Sequence, residues 1–231
     1  MAEVDWAFMN NGAAAATVIR GVSSGFTVPN GGGSFIFGFH SLASAGGTSG
    51  LYVNLTNFAP LAKGASIRAA VQRATGSGTT AFAPFVFVGV QSNPPSINDT
   101  GYLLGLSDNS PSEIVLRKGA PVGGLDPTGS DILATGSSTF AAGVWVHLRM
   151  DVINNPNGDV VINCFQNDLT ANAVTAPVWT AIPGISTVVD DALQVLTGTA
   201  PLLGGFVGYG FESTALNRRG LFDHVEVLRQ V

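Results

Sequence analysis

The sequence predicts an all-β protein, an antiparallel β-sandwich formed by a single domain, and three observations carry that expectation. Thirty glycines and twelve prolines interrupt the chain at the spacing of short strands and turns, and both residues depress helix formation. The apolar segments either alternate with period two or form short continuous runs, which are the two patterns of half-buried and fully buried strands. Although 45% of the residues are hydrophobic and only 11% are charged, no apolar run approaches the roughly 20 residues of a membrane helix.

The first 25 residues, with Trp6, Phe8, Met9 and the small run Ala13 to Ala16, read as an N-terminal arm or edge segment ahead of a sandwich domain over 26–231. Removing residues 1–22 is expected to leave the fold intact and to abolish assembly. Pro29-Asn30-Gly31-Gly32-Gly33 turns the chain into the bulky strand Ser34 to His40. Further strands follow at Leu51 to Leu55, Ser66 to Gln72 and Phe82 to Gln91. In the last of these, Phe85, Phe87 and Gly89 are expected on one face and Val86, Val88 and Val90 on the other. Gly101 to Leu106 and Ile114 to Arg117 form a hairpin around the turn Ser107 to Pro111.

The clearest alternation runs from Val144 to Val152. Val144, Val146, Leu148, Met150 and Val152 define a core face; Trp145, His147, Arg149 and Asp151 define a face toward water or a partner. The turn Asn154 to Gly158 contains Asn157-Gly158, which supplies the positive φ angles of a tight hairpin, and returns the chain into Asp159 to Phe165. Ser186 to Leu196 is the only stretch with helical spacing. Gly205 to Phe211 and Gly220 to Leu228 close the chain as strands.

Net charge is −5, and the ten Lys and Arg residues are scattered singly, which excludes the clustered basic face a nucleic-acid partner needs. A surface short of charge is easily desolvated by neighbouring subunits, so self-association or docking on a larger particle is expected. A surface of Ser, Thr, Asn and Gly is the competing explanation. Cys164 stands alone, which excludes an intrachain disulfide and a Cys-based zinc site. The start MAEVDWAFMNNG lacks the basic and apolar regions of a signal peptide, so synthesis in a host cytoplasm without export is the expectation.

Four blocks together carry a resemblance: the Gly101 to Arg117 hairpin, the strand Val144-Trp145-Val146-His147-Leu148-Arg149-Met150-Asp151-Val152, its partner Val160 to Phe165, and the closing Phe222-Asp223-His224-Val225-Glu226-Val227. In this order they resemble the concanavalin A-like jelly rolls of legume lectins, laminin G-like domains and several glucanases. The resemblance covers roughly residues 26 to 231, and the fold it implies hosts binders, enzymes and structural modules alike. The texture of the whole chain, including Pro29 to Phe35 and Tyr102 to Asp108, is similar to tailed-bacteriophage virion proteins that carry such a domain.

Glycoside hydrolysis needs two carboxylates flanking one bond. The glucanases of this resemblance place theirs as E-x-D-x-x-E, whereas Glu occurs here only at 3, 113, 212 and 226. The nearest pair, Asp223 and Glu226, faces opposite sides of a regular strand, so no catalytic residue and no enzymatic activity are assigned. Trp145, His147 and Arg149 form the one constellation able to stack a sugar ring and bond its hydroxyls. The plainer reading places Trp145 at a subunit contact or strand edge and pairs Arg149 with Asp151. Calcium wants six to eight oxygens; Asp190, Asp191 and Asp108 are weak candidates, and no metal or other cofactor is assigned.

The function expected from these readings is a non-enzymatic structural virion protein of a tailed phage, a capsid decoration or tail component. Its partners would be itself, with a trimer among the candidate states, and other virion proteins such as the major capsid protein, with Trp6 and Phe8 as arm contacts. The alternative is a carbohydrate-binding receptor-recognition module with glycan as partner, and last a polysaccharide-degrading enzyme.

Overall fold

The computed structural model describes residues 7–10, 14–20, 27–32, 35–41, 47–53, 64–73, 82–90, 99–107, 111–120, 132–191, 200–213 and 219–229. In chain order the strands are β1 (Ala7–Asn10), β2 (Ala14–Arg20), β3 (Phe35–Ser41), β4 (Gly47–Val53) and β5 (Gly64–Arg73). There follow β6 (Phe82–Val90), β7 (Gly101–Leu106), β8 (Ser112–Gly119), β9 (Ile132–Phe140) and β10 (Trp145–Asn154). The last are β11 (Val160–Asn167), β12 (Trp179–Ala181), β13 (Thr187–Asp190), β14 (Phe206–Ser213) and β15 (Arg219–Arg229). No helix among the described residues is long and apolar enough to cross a membrane.

The strands form two sheets, and every recorded pairing is antiparallel. An eight-stranded sheet runs β12-β11-β10-β5-β15-β3-β2, with β13 also paired to β11, and a seven-stranded sheet runs β1-β4-β14-β6-β7-β8-β9. The sandwich expected from sequence is therefore the observed architecture. The chain passes between the sheets several times, and β14 and β15 are inserted into the interiors of the two sheets rather than added at their edges.

The core lies between the sheets. Val146, Leu148, Met150 and Val152 project inward from β10 and join Ile67 and Val71 of β5 with Leu104, Leu116 and Phe211 of the facing sheet. Leu148 is fully buried, and truncation of such a side chain to alanine costs about 2–5 kcal/mol in transfer and cavity terms. The β10–β11 hairpin forms where expected, with Asn155 N donating to Asp159 O at 2.9 Å and Gly158 N donating to Asn155 O at 3.0 Å, but the positive φ falls on Gly158 alone, at +93°, and not on Asn157 as well. Cys164 is buried in this core, and burial pushes its thiol far above the ordinary range.

The N-terminal segment contributes an edge strand to each sheet, β1 against β4 and β2 against β3. Both are hydrogen-bonded into the sandwich as edge strands, and the loss of residues 1–22 would bare the two strand edges they cover. Phe8 sits in β1 opposite Leu51, and Trp6 lies outside the described residues. Ser186 to Leu196, expected to be helical in spacing, contains β13 instead, because the edge of β11 offers it a ladder from Val160↔Asp190 to Asn163↔Thr187; residues 192–199 lie outside the described residues.

Two bulges change which side chains face which way. In β6, Phe206 pairs with Val90 while Val207 pairs with Val88, so Gly89 is an extra residue; its φ of +88° suits glycine. The inserted residue reverses the parity of the strand, and Val90 joins Phe85 and Phe87 on the outer face of the sheet instead of Val86 and Val88 on the inner one. In β15 the register slips between Asp223↔Ala70 and Glu226↔Arg68. His224, at φ +48°, is the positive-φ non-glycine residue among those described. The slip puts Asp223 and Glu226 on one face, correcting the expectation that they point to opposite sides.

Candidate functional site

Trp145, His147, Arg149 and Asp151 do share the outer face of β10, opposite the core. The first half of that face is closed by two segments of the chain itself. Residues 27–32 make a turn in which Gly32 N donates to Pro29 O at 2.8 Å, with Gly31 at φ +73°, the geometry of a turn with glycine at its third position. Residues 168–178 fold back from the end of β11. The two segments are tied by Val174 N donating to Asn30 O at 2.8 Å and by Asn30 Nδ2 donating to Asn172 O at 3.1 Å.

Beneath this roof Trp145, Ala70, Val174 and Leu221 form a satellite core. Trp145 is only 9% exposed, and its Nε1 donates to Thr27 O at 3.1 Å. No full ring face is left for a sugar to stack on, which corrects its reading as a platform. His147 is fully buried and packs against Trp179 with ring centroids 4.5 Å apart. Burial, then the nearby Arg68 and His224, disfavour its charged form and push it down to about 4. Arg149 lies beyond the roof and forms a two-pronged pair with Asp151, Nε to Oδ1 at 2.8 Å and Nη2 to Oδ2 at 2.6 Å, with its guanidinium 5.3 Å from the centroid of the Phe165 ring. Ser66 Oγ donates to the same Asp151 carboxylate. The sequence constellation is thus divided into a core aromatic, a buried neutral imidazole and a paired cation.

The carboxylates fare similarly. Asp223 and Glu226 share a face, but Glu226 accepts from Arg68 at 2.5 Å and Asp223 Oδ1 accepts from His224 N at 2.8 Å. Asp223 Oδ2 is covered by Gly32, where an added Cβ would overlap it. No open carboxylate pair results. Asp190 is fully buried between the sheets, where its Oδ2 meets Lys118 Nζ at 2.7 Å and Tyr102 Oη at 2.5 Å. A cation already occupies that carboxylate, so Asp190 does not fit a calcium ligand. Asp191 follows it in sequence, and Asp108 lies outside the described residues. Among the described residues no three His, Cys, Asp or Glu side chains converge as a metal cage.

A cleft of about 150 Å³ opens at the end of the sandwich where β9 leads into β10 and β11 ends. Phe140, Val144 and the rim of Trp145 make its floor; Gln166, Asp168 and Thr170 make its polar side. Gln166 Oε1 is buried without a hydrogen-bond partner. The Asp168 carboxyl accepts from the Thr170 hydroxyl at 2.7 Å and from Thr170 N at 2.9 Å; these bonds, led by the hydroxyl, hold it below the usual carboxylate range. The cleft sets an apolar floor beside the polar side chains of Gln166, Asp168 and Thr170, and at about 150 Å³ it is smaller than the pockets that enclose drug-sized ligands. Sequence reasoning missed it, apart from Trp145. Asp168-Leu169-Thr170 carries an Asx-turn signal, but nothing local reveals that Phe140 and Gln166, from different sheets, meet.

No family model matches the chain, and no curated protein matches it. Solved structures do. The exoplasmic/lumenal domain of VIP36, in a form bound to Ca2+ and Man3GlcNAc, is 10% identical, with 98% of this chain and 83% of that one covered and a TM-score of 0.54. The carbohydrate recognition domain of Emp46p, in a metal-free form, is 11% identical, with 98% of this chain and 88% of that one covered and a TM-score of 0.50. At such identities the likeness concerns architecture: the chain has the concanavalin A-like jelly-roll fold.

Proposed function

We propose that this protein is a non-enzymatic carbohydrate-binding module that receives a sugar in the cleft at the β10–β11 end of the sandwich. The observation that carries the reading is the cleft itself, an apolar floor with Phe140 beside the polar side chains of Gln166, Asp168 and Thr170. Sugars present a C–H face that packs on apolar and aromatic surface and hydroxyls that hydrogen-bond to such side chains. The carbohydrate recognition domains among similar structures add support at the level of fold. The virion role expected from composition finds no counterpart in the similar structures named above, and the glycan-binding alternative is the one they favour.

The test is retention on a glycan array by the native protein, followed by Phe140→Ala and Gln166→Ala. Retention reduced at least tenfold in both variants, with the thermal midpoint held within a few degrees, supports the cleft. A native protein that retains no glycan overturns the reading.

A further inference from the structure

We infer that Asn167 is the positioning residue of the cleft, its amide holding segment 168–178 in place and being itself oriented by His147. The inference deepens the glycan-binding reading and rests on it for the ligand, though the geometry stands alone. Asn167 ends β11, lines the cleft, and faces His147 across the β10–β11 ladder. Its Oδ1 accepts from Val178 N at 3.0 Å, and its Nδ2 lies 3.4 Å from Ala173 O and 3.2 Å from His147 Nδ1. One side chain therefore grips the middle and the far end of the segment whose near end, Asp168 to Thr170, is a wall of the cleft.

The bonding leaves no freedom in the amide. The Val178 N–H requires an oxygen and the Ala173 carbonyl requires an N–H, so Oδ1 and Nδ2 cannot exchange places. His147 Nδ1 must then be an acceptor and its proton must sit on Nε2, which the structure leaves without a partner. A proton added at Nδ1 sets two donors against each other and removes the support of the amide.

Burial first, and then the charged groups around the imidazole, keep that proton off at neutral pH. Arg149 and Asp151 follow it on β10 and neutralise each other. Arg68 on β5 and His224 on β15 oppose its charge, and Asp223 stands one strand further across, opposite Ala70. Asp168 is the titratable group of the segment itself, held low by Thr170. The sign follows: His147 is depressed from 6.5 to about 4, so the unfolded or opened form binds more protons across that interval. The grip is complete above pH 6.5 and is lost as pH falls toward 4.

The experiment is amide hydrogen exchange of the full chain without ligand, from pH 7 to pH 3.5, corrected for intrinsic rates. Peptides covering 168–178 are compared with those covering the 154–160 turn. Native protein is expected to show at least a tenfold rise in exchange of 168–178 across the interval, with the turn unchanged. His147→Gln, which accepts from Asn167 but does not titrate, removes the step. Asn167→Asp favours the protonated imidazole and moves the step, whereas Asn167→Ala raises exchange at every pH. Asp168→Asn keeps the turn and keeps the step. No step in the native protein, or a step that survives both His147→Gln and Asn167→Asp, overturns the inference. Glycan retention, read separately, is expected to fall at least tenfold in Asn167→Ala; an array with no retained glycan overturns the binding reading and leaves the exchange result to decide the role of Asn167.

Discussion

Asp223 and Glu226 stand on the same face of the eight-stranded sheet because β15 fits one more residue than β5 between the pairs Asp223↔Ala70 and Glu226↔Arg68. The extra residue is accommodated by His224 at φ +48°, a conformation that disfavours side chains with a Cβ by about 1–2 kcal/mol.

His224→Gly is therefore expected to relieve the backbone, offset in part by the flexibility glycine adds to the unfolded chain. Its unfolding free energy in urea should match or exceed that of the native protein, while that of His224→Val should fall below it by at least about 1 kcal/mol. Equal losses in the two variants would show that the imidazole contacts, and not the backbone, decide this position. Glu226→Gln breaks a half-exposed pair with Arg68 and is expected to cost less than about 1 kcal/mol.

Lys118 and Asp190 form a pair with both side chains fully buried, and it joins the seven-stranded sheet to β13 of the other. Removing one partner leaves an uncompensated buried charge, a loss of about 3–5 kcal/mol. Lys118→Met and Asp190→Leu are each expected to show it in denaturant unfolding, and the double variant to recover much of it. Two single losses that simply add would argue that the pair is not energetically coupled.

Truncation before residue 23 removes β1 and β2 and bares the edges of β4 and β3. The expected result is a lower thermal midpoint together with concentration-dependent association on size exclusion, as unpaired edges invite strand addition. A monomeric truncated protein with the native midpoint would return these residues to the role of a dispensable arm.

Legibility in the sequence followed the range over which a signal is written. The β10–β11 hairpin was readable because its alternation and its Asn157-Gly158 turn are local, and Val146, Leu148, Met150 and Val152 do face the core. The other side of the same strand was misjudged, since what covers Trp145 and His147 comes from residues 27–32 and 168–178, far away in the chain. Bulges escaped for a different reason. One added residue at Gly89 or His224 inverts a period-two pattern without altering its composition, so Val90 and the Asp223–Glu226 pair were assigned to the wrong faces. Of the cleft, only the rim of Trp145 was anticipated, because Phe140, Gln166 and Asp168 become neighbours only when the sheets close.

The central place of β15 has a consequence for how the protein is made. Residues 219–222 pair with β3 on one side while residues 220–229 pair with β5 on the other, so the two halves of the eight-stranded sheet have no direct ladder between them until this strand arrives. A ribosome delivers it after every other strand described. Until β15 is available the edges of β3 and β5 have no partner on that side, and contacts of such long sequence separation form slowly. The eight-stranded sheet therefore cannot close before β15 has been made, and a chain stopped short of it would keep the edges of β3 and β5 unpaired.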